Sequence, residues 1–323
     1  MAQDRAQRSP APAPAAVPTG EAEAAIALPE LYVRGRARGL WSDAFHRLLK
    51  NRLAVIGAVI ILLFTIAAVF APLIAPYGYQ EIFSGHIIED PSASHLFGTN
   101  LSGQDTLSRV IYGARNSLGV GVFVQFIILA IAIVVGGGAA LGGKWADAVL
   151  MRFTDVVYAF PDLLFVILLQ QVLAGTRLAS YVGGLFVVFF AIGLVAWVNL
   201  ARLIRGQMLS LKTTDYVIAA EAIGATRARI VLRHMLPNTL SPVIVALTFG
   251  IPSAIFTEAT LSFIGIGIRP PLADWGNMIY DGYGAVSATP WPIFFPALAL
   301  AITFLSFQFL GDGLRDALDP RTR

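Results

Sequence analysis

Six apolar stretches divide this chain, each about as long as a helix needs to cross the roughly 30 Å hydrocarbon core of a bilayer. They are Leu53–Ala75, Leu118–Gly142, Val156–Ala174, Tyr181–Leu203, Leu240–Ile264 and Trp291–Gly311. In hydrocarbon every backbone N–H and C=O must be satisfied within the protein, so long apolar stretches of this kind form helices. The expected fold is all-α, a polytopic membrane protein with six transmembrane helices. Asp162 and Glu258 are the acidic residues inside these stretches.

Charge predicts the orientation. With the amino terminus in the cytoplasm, 19 of the 23 lysines and arginines fall on the cytoplasmic side; Arg109, Arg115, Arg177 and Arg269 fall outside. The positive-inside rule then places both termini in the cytoplasm. A composition of 56% hydrophobic and 13% charged residues lies far from soluble usage. The basic balance follows from this arginine bias, so the lipid bilayer is the expected partner and nucleic acid is not. Without cysteine the chain has no disulfide, cysteine-ligated zinc, iron–sulfur cluster or thiol catalysis.

The hydrophilic segments suggest a division of the chain. Residues 1–40, rich in Ala and Pro with no apolar face, read as a disordered cytoplasmic tail. They are not a cleavable signal, because the first apolar run begins at Leu53, behind Arg34, Arg36, Arg38, Arg47, Lys50 and Arg52. Residues 41–76 form an extension with the first membrane helix, 77–117 an extracytoplasmic loop, 118–313 a five-helix core that includes a cytoplasmic loop at 205–238, and 314–323 a cytoplasmic tail. In the outer loop Ser102 and Asp105 have capping-box spacing. Leu107, Val110, Ile111, Ala114 and Leu118 then repeat at helical spacing with Arg109 and Arg115 off the stripe, which predicts a short helix lying in the membrane interface.

The 205–238 loop reads as a helix–turn–helix. Thr214 or Asp215 can cap a helix carrying Tyr216, Ala219, Ala220 and Ile223; Gly224 can end it in a left-handed turn; Thr226 can start a second helix running to Pro237. A small alanine surface suits close approach of another protein, with Arg227, Arg229 and Arg233 on a solvated or partner-facing side. From the residues alone, a solvated loop and a docking surface both remain open.

Asp215-Tyr-Val-Ile-Ala-Ala-Glu-Ala-Ile-Gly-Ala-Thr, followed by Arg229-Ile and Arg233-His-Met-Leu-Pro-Asn, resembles the cytoplasmic EAA loop of binding-protein-dependent ABC importer permeases. The family pattern falls on Ala219, Ala220, Gly224, Leu236 and Pro237, with Asp215, Tyr216, Glu221, Ala225 and Arg229 in the same segment; Ile218 replaces the acid that usually opens the motif. Four other segments resemble the dipeptide/oligopeptide/nickel branch: Lys50-Asn-Arg-Leu-Ala-Val-Ile-Gly with Ala71-Pro-Leu-Ile-Ala-Pro-Tyr; Leu96-Phe-Gly-Thr-Asn through Leu118; Leu261-Ser-Phe-Ile-Gly-Ile-Gly-Ile-Arg-Pro-Pro with Asp274-Trp-Gly; and Gly311-Asp-Gly-Leu-Arg-Asp-Ala-Leu-Asp-Pro-Arg. Asn100 and Gln104 stand where that branch more often has an acid and a base.

The resemblance implies a type I, MetI-like permease fold without nucleotide chemistry of its own. It also implies a homologous second permease subunit, two cytoplasmic ABC ATPase domains and an extracytoplasmic substrate-binding protein. ATP-driven closure of the ATPases would pull the coupling loop and reorient the bundle, with peptide as the expected cargo. No catalytic, cofactor or metal site is expected on the chain. Gly138-Ala-Ala-Leu-Gly-Gly-Lys144 mimics a P-loop, but Trp145 stands where Ser/Thr should bind magnesium and a membrane helix precedes it. His46, His86, His95 and His234 are scattered without metal-ligand spacing and read as solvated or interfacial.

Polar groups are costly facing lipid, so Gln125, Asp162, Gln170, Gln171, Asn199 and Glu258 are candidates to line a path through the bundle. Pro161, Pro252, Pro292 and Pro296 invite helix bends. The competing classes are an ion-coupled secondary transporter and an intramembrane hydrolase. The first lacks a visible inverted repeat, and the second a placed Ser/His pair, aspartate pair or metal motif.

Overall fold

A computed structural model describes residues 40–177 and 184–319. Most of the expected 1–40 tail, the start of the fourth apolar stretch at Tyr181 and the last four residues lie outside the described residues. Within them the fold is helical, and the one extended feature is an isolated bridge between Thr99 and Asp105. Four helices are long and apolar enough to cross a membrane alone, and two bent pairs bring the number to six.

Helix α1 (Leu40–Lys50) leads into α2 (Arg52–Val69), whose first turn is capped by the Asn51 side chain accepting from the Ala54 N–H. A break at Phe70 separates α2 from the single turn α3 (Ala71–Ile74), where Pro72 sits in the first turn and sacrifices no hydrogen bond. Helix α4 spans Thr106–Leu141, widening into a π turn at Ile133–Gly137. No separate interfacial helix precedes it. The stripe from Leu107 to Leu118 is the first part of the membrane helix, because no proline interrupts the chain between Thr106 and Ala132. Its cap is Asp105, whose Oδ2 accepts the Ser108 N–H at 2.8 Å, so Ser102 does not cap it. Arg109, expected off the apolar stripe, is buried.

The third apolar stretch, expected to start at Val156, takes in only the end of α5 (Gly143–Tyr158), which begins well before it, and continues after a 90° break as α6 (Asp162–Ala174), opened by Pro161. The fourth is α7 (Leu185–Ala196) and α8 (Val198–Leu211), bent 45° at Trp197. A short helix, α9 (Asp215–Ala222), precedes α10 (Ala228–Phe263). The second helix expected to stop at Pro237 instead runs on to Phe263. It passes Pro237 because the turn before it, Val231–Met235, is a π turn, which leaves the proline in the first turn of the α-helical run that follows, where its missing N–H is least needed. Between α10 and α12 (Trp291–Leu318) lies α11 (Trp275–Ala285), which apolar periodicity did not reveal. Pro252 and Pro296 lie within continuous helices and Pro292 in a first turn, so Pro161 alone among the four marks a sharp bend.

Two apolar clusters hold the bundle. One joins α4, α6, α7, α8 and α10 around Val124, Val188 and Ala201; the other joins α2, α4, α11 and α12 around Trp275. Helix α2 approaches α12 closely because a side chain at Gly57 would strike the Ser306 carbonyl, the use of small residues expected where lipid supplies no hydrophobic drive between helices. Leu62, Leu63, Phe126, Val134 and Val172 are exposed, as lipid-facing residues should be.

The segment between α3 and α4 is pinned by backbone bonds, Phe83 N–H to Gly103 O at 2.9 Å and Thr99 N–H to Glu89 O at 3.1 Å. In place of an ion pair, Asn100 Nδ2 donates to Gln104 Oε1 at 3.0 Å, and Arg109 Nη1 donates to the same oxygen. The histidines are not all scattered: His95 is buried and its ring lies 6.0 Å from that of His86.

Candidate translocation cavity and coupling helix

A cavity of about 510 Å³ opens among α4, α6, α7, α8 and α10. Three of the path candidates meet in its wall: Gln125 from α4, Asp162 at the first position of α6, and Asn199 from α8. Their convergence depends on the two breaks. The 90° turn carries Asp162 to the cavity, and the 45° turn at Trp197 does the same for Asn199. Gly250 on α10 makes room for Gln125, since a Cβ there would meet its amide. Ser253 and Thr257 also line the cavity, with hydroxyls bonded back to the carbonyls of Phe249 and Ser253. They escaped notice because hydroxyls that satisfy themselves on their own helix carry no polarity signal in an apolar run.

Gln170 and Glu258 do not belong to this wall. Gln170 and Gln171 line a separate recess of about 90 Å³ with Gly184 and Arg269. Glu258 is fully buried, accepts from Ser262 Oγ at 2.8 Å, and faces Asp274 at the start of α11. Asp274 caps α11 through a reciprocal pair with Asn277, and burial raises its carboxyl to about 6 against the opposing backbone hydrogen bonds from Asn277 and Gly276. Trp275, fully buried, donates its indole N–H to the Val110 carbonyl at 3.1 Å. The Trp275 indole, together with Asn116 Nδ2 donating to the Ala273 carbonyl at 2.7 Å, therefore anchors the start of α11 to α4. The Asp274…Asn277 capping spacing was the available signal for this helix.

At the other end of α10, α9 closes in a Schellman motif. Ala225 N–H bonds Ala220 O at 3.0 Å, Gly224 N–H bonds Glu221 O at 2.9 Å, and Gly224 has φ +81°. Thr214 stands at the N-cap, but its hydroxyl donates to the Leu211 carbonyl rather than accepting from α9. Val217 and Ala220 face inward, so the alanine surface is one-sided; Asp215, Tyr216, Ile218, Ala219, Glu221 and Ile223 are exposed, Ile223 at 86%. Ala225 and Leu236 pack against the core, Pro237 and Arg229 are exposed, and Asn238 Nδ2 reaches the Tyr216 hydroxyl at 3.4 Å. Beneath α9 a second cavity of about 720 Å³ is bounded by Leu141, Lys212, Val217, Glu221 and Met235. Lys212 Nζ donates to the Ala140 carbonyl, while Arg205 grips Asp147 with bonds of 2.5 and 2.6 Å and Arg202 bonds Asp155 at 2.8 Å. These contacts tie α8 to α4 and α5. Gly138–Leu141 of the apparent P-loop is the helical end of α4, and Lys144 is exposed just beyond it.

Broken spans around a polar-walled cavity, joined by a long helix to an exposed apolar hairpin, define a polytopic membrane permease. Residues 104–323 match the family described as binding-protein-dependent transport system inner membrane component, and residues 39–91 match the N-terminal TM domain of oligopeptide transport permease C. The chain belongs to the first of these families. It is 39% identical to the oligopeptide transport system permease protein OppC of Bacillus subtilis (strain 168), covering 96% of each chain. It is 42% identical to the dipeptide transport system permease protein DppC of the same organism, over 87% of this chain and 86% of that one. Identity to OppC of Escherichia coli (strain K12) is 38%, over 91% and 95%. A chain of the MetNI methionine ABC transporter, solved in inward-facing conformations, matches with a TM-score of 0.53 at 20% identity over 65% of this chain and 96% of its own, which establishes a MetI-like fold.

Proposed function

We propose that this chain forms half of the translocation path of an ATP-driven ABC importer that takes up peptides. Near full-length identity to oligopeptide and dipeptide permeases carries the reading. The exposed Ile218–Ile223 face of α9 and its Schellman turn support α9 as the docking contact for a cytoplasmic ATPase. A homologous permease subunit completes the path, a second ATPase domain serves that subunit, and a substrate-binding protein delivers the peptide from outside. Gln125, Asp162 and Asn199 contact the passing solute. Both termini face the cytoplasm of a bacterial or archaeal cell.

Uptake of a labelled peptide by cells carrying the whole transporter tests this. Deleting the chain should abolish uptake, and Ile223→Asp should abolish it while leaving membrane insertion intact. A reporter after Arg323 should be cytoplasmic and one near Ser92 external. ATP-independent, ion-driven uptake by the chain alone would overturn the proposal in favour of a secondary transporter.

A further inference from the structure

We propose that His86, Glu89 and His95, on the segment joining α3 to α4, form a binding site for a divalent transition metal of the zinc class. One ligand atom from each lies within 4.8 Å of the others. A tetrahedral ion with bonds of about 2.0–2.1 Å needs donors about 3.4 Å apart. The widest separation therefore has to close by about 1.4 Å, while His86 Nδ1 and Glu89 Oε1, now 2.7 Å apart, have to part slightly. His86 and Glu89 are the more solvent-exposed members and can supply that movement.

His95 is already set for the task. It is 3% exposed, and its Nδ1 lies 2.9 Å from Asp105 Oδ1. That contact engages Nδ1 and leaves Nε2 as the ring nitrogen available to an ion. This carboxylate–histidine pairing orients many metal ligands. Asp105 is itself fixed by capping α4, and the rings of Tyr77 and Phe83 enclose the imidazole at 5.2 and 4.9 Å.

The other two donors are held by the backbone. Thr99 Oγ1 donates to the His86 carbonyl and accepts the Glu89 N–H at 2.9 Å. Between them Ile88 adopts φ +56°, a left-handed conformation that a branched residue rarely takes. Strain of that kind at a surface turn directs attention to what the turn positions. The direct contact of His86 with Glu89 at 2.7 Å accounts for those two side chains but not for a buried, carboxylate-oriented imidazole beside them. Two nitrogens and one oxygen with an open fourth position suit zinc, with cobalt(II) as a spectroscopic substitute.

The chain has no cysteine and four histidines, so competing sites are few. The test titrates cobalt(II) into the purified full chain in detergent, after treatment with a chelator, and follows the visible absorption of tetrahedral cobalt. It then displaces the cobalt with zinc(II). One cobalt per chain is expected, with affinity falling at least tenfold in His86→Gln and in Glu89→Gln and unchanged in His46→Gln and His234→Gln. Zinc should raise the unfolding temperature of the wild type and not of His86→Gln. The proposal is overturned if the wild type gives no tetrahedral cobalt spectrum at millimolar metal, or if both ligand variants bind as the wild type does.

Discussion

Helices α9 and α11 are both short and both lie between membrane spans, yet they are held in opposite ways. Of the eight residues of α9, two are buried, and its turn is closed by main-chain hydrogen bonds to a left-handed glycine. Of the eleven of α11, six are buried, and it is held by the Asp274 cap, the Trp275 indole and tight packing on α10. A helix secured through its backbone keeps its side chains free for another protein. One secured through its side chains belongs to its own bundle.

Four changes can break or sharpen that contrast. The largest effect is expected from Trp275→Ala, which empties a fully buried site and removes the indole bond that joins α11 to the Val110 carbonyl. It should cost about 3–5 kcal/mol, seen as lost yield and lower thermal stability in detergent. Wild-type stability there would show that α11 is not an anchor.

Next comes pH. Because burial raises Asp274 from an ordinary 3.8 to about 6, the folded protein binds more protons than the unfolded one between those values. Stability due to this group is full below the lower value and is lost as pH rises through the upper one, by at most about 3 kcal/mol. Asp274→Asn keeps a capping side chain and should reduce the fall of the unfolding temperature across that window, with Glu258 still in place beside it. An unchanged slope would assign the effect to another group.

Gly224→Val should act on transport rather than on insertion. A Cβ there meets nothing within 4 Å, so the penalty of about 1–2 kcal/mol is backbone strain alone. The reshaped turn should uncouple ATP hydrolysis from uptake, and normal uptake would rule out this turn as a coupling contact. The smallest stability effect, within about 0.5 kcal/mol, is expected for Ile223→Asp on the exposed face. Loss of ATPase co-purification at unchanged stability would separate docking from folding; retained co-purification would place the contact elsewhere.

The spans were legible because roughly twenty apolar residues in a row have few other uses, and Gly224 because a left-handed turn after a short helix favours glycine. The bend at Pro161 was legible for a similar reason. What was hidden depended on tertiary partners. The Thr106 start of α4 reads as interfacial because an arginine off an apolar stripe implies a surface, whereas Gln104 and Asp281 receive Arg109 inside the fold. Glu258 looked like a path residue because polarity in a span signals a partner without saying whether that partner is cargo or another side chain. Gln125, Asp162 and Asn199 were recognisable as polar, but their convergence rests on two bends whose angles periodicity does not encode. His86 and His95 lie nine positions apart, and a folded-back loop rather than a spacing rule brings them together.

Helix α10 begins beside the α9 hairpin, supplies Gly250, Ser253 and Thr257 to the cavity wall, and ends near the Glu258–Asp274 contact. Its 36 residues make a rod about 54 Å long. In a rod of that length a tilt of a few degrees at one end becomes a displacement of several ångströms at the other.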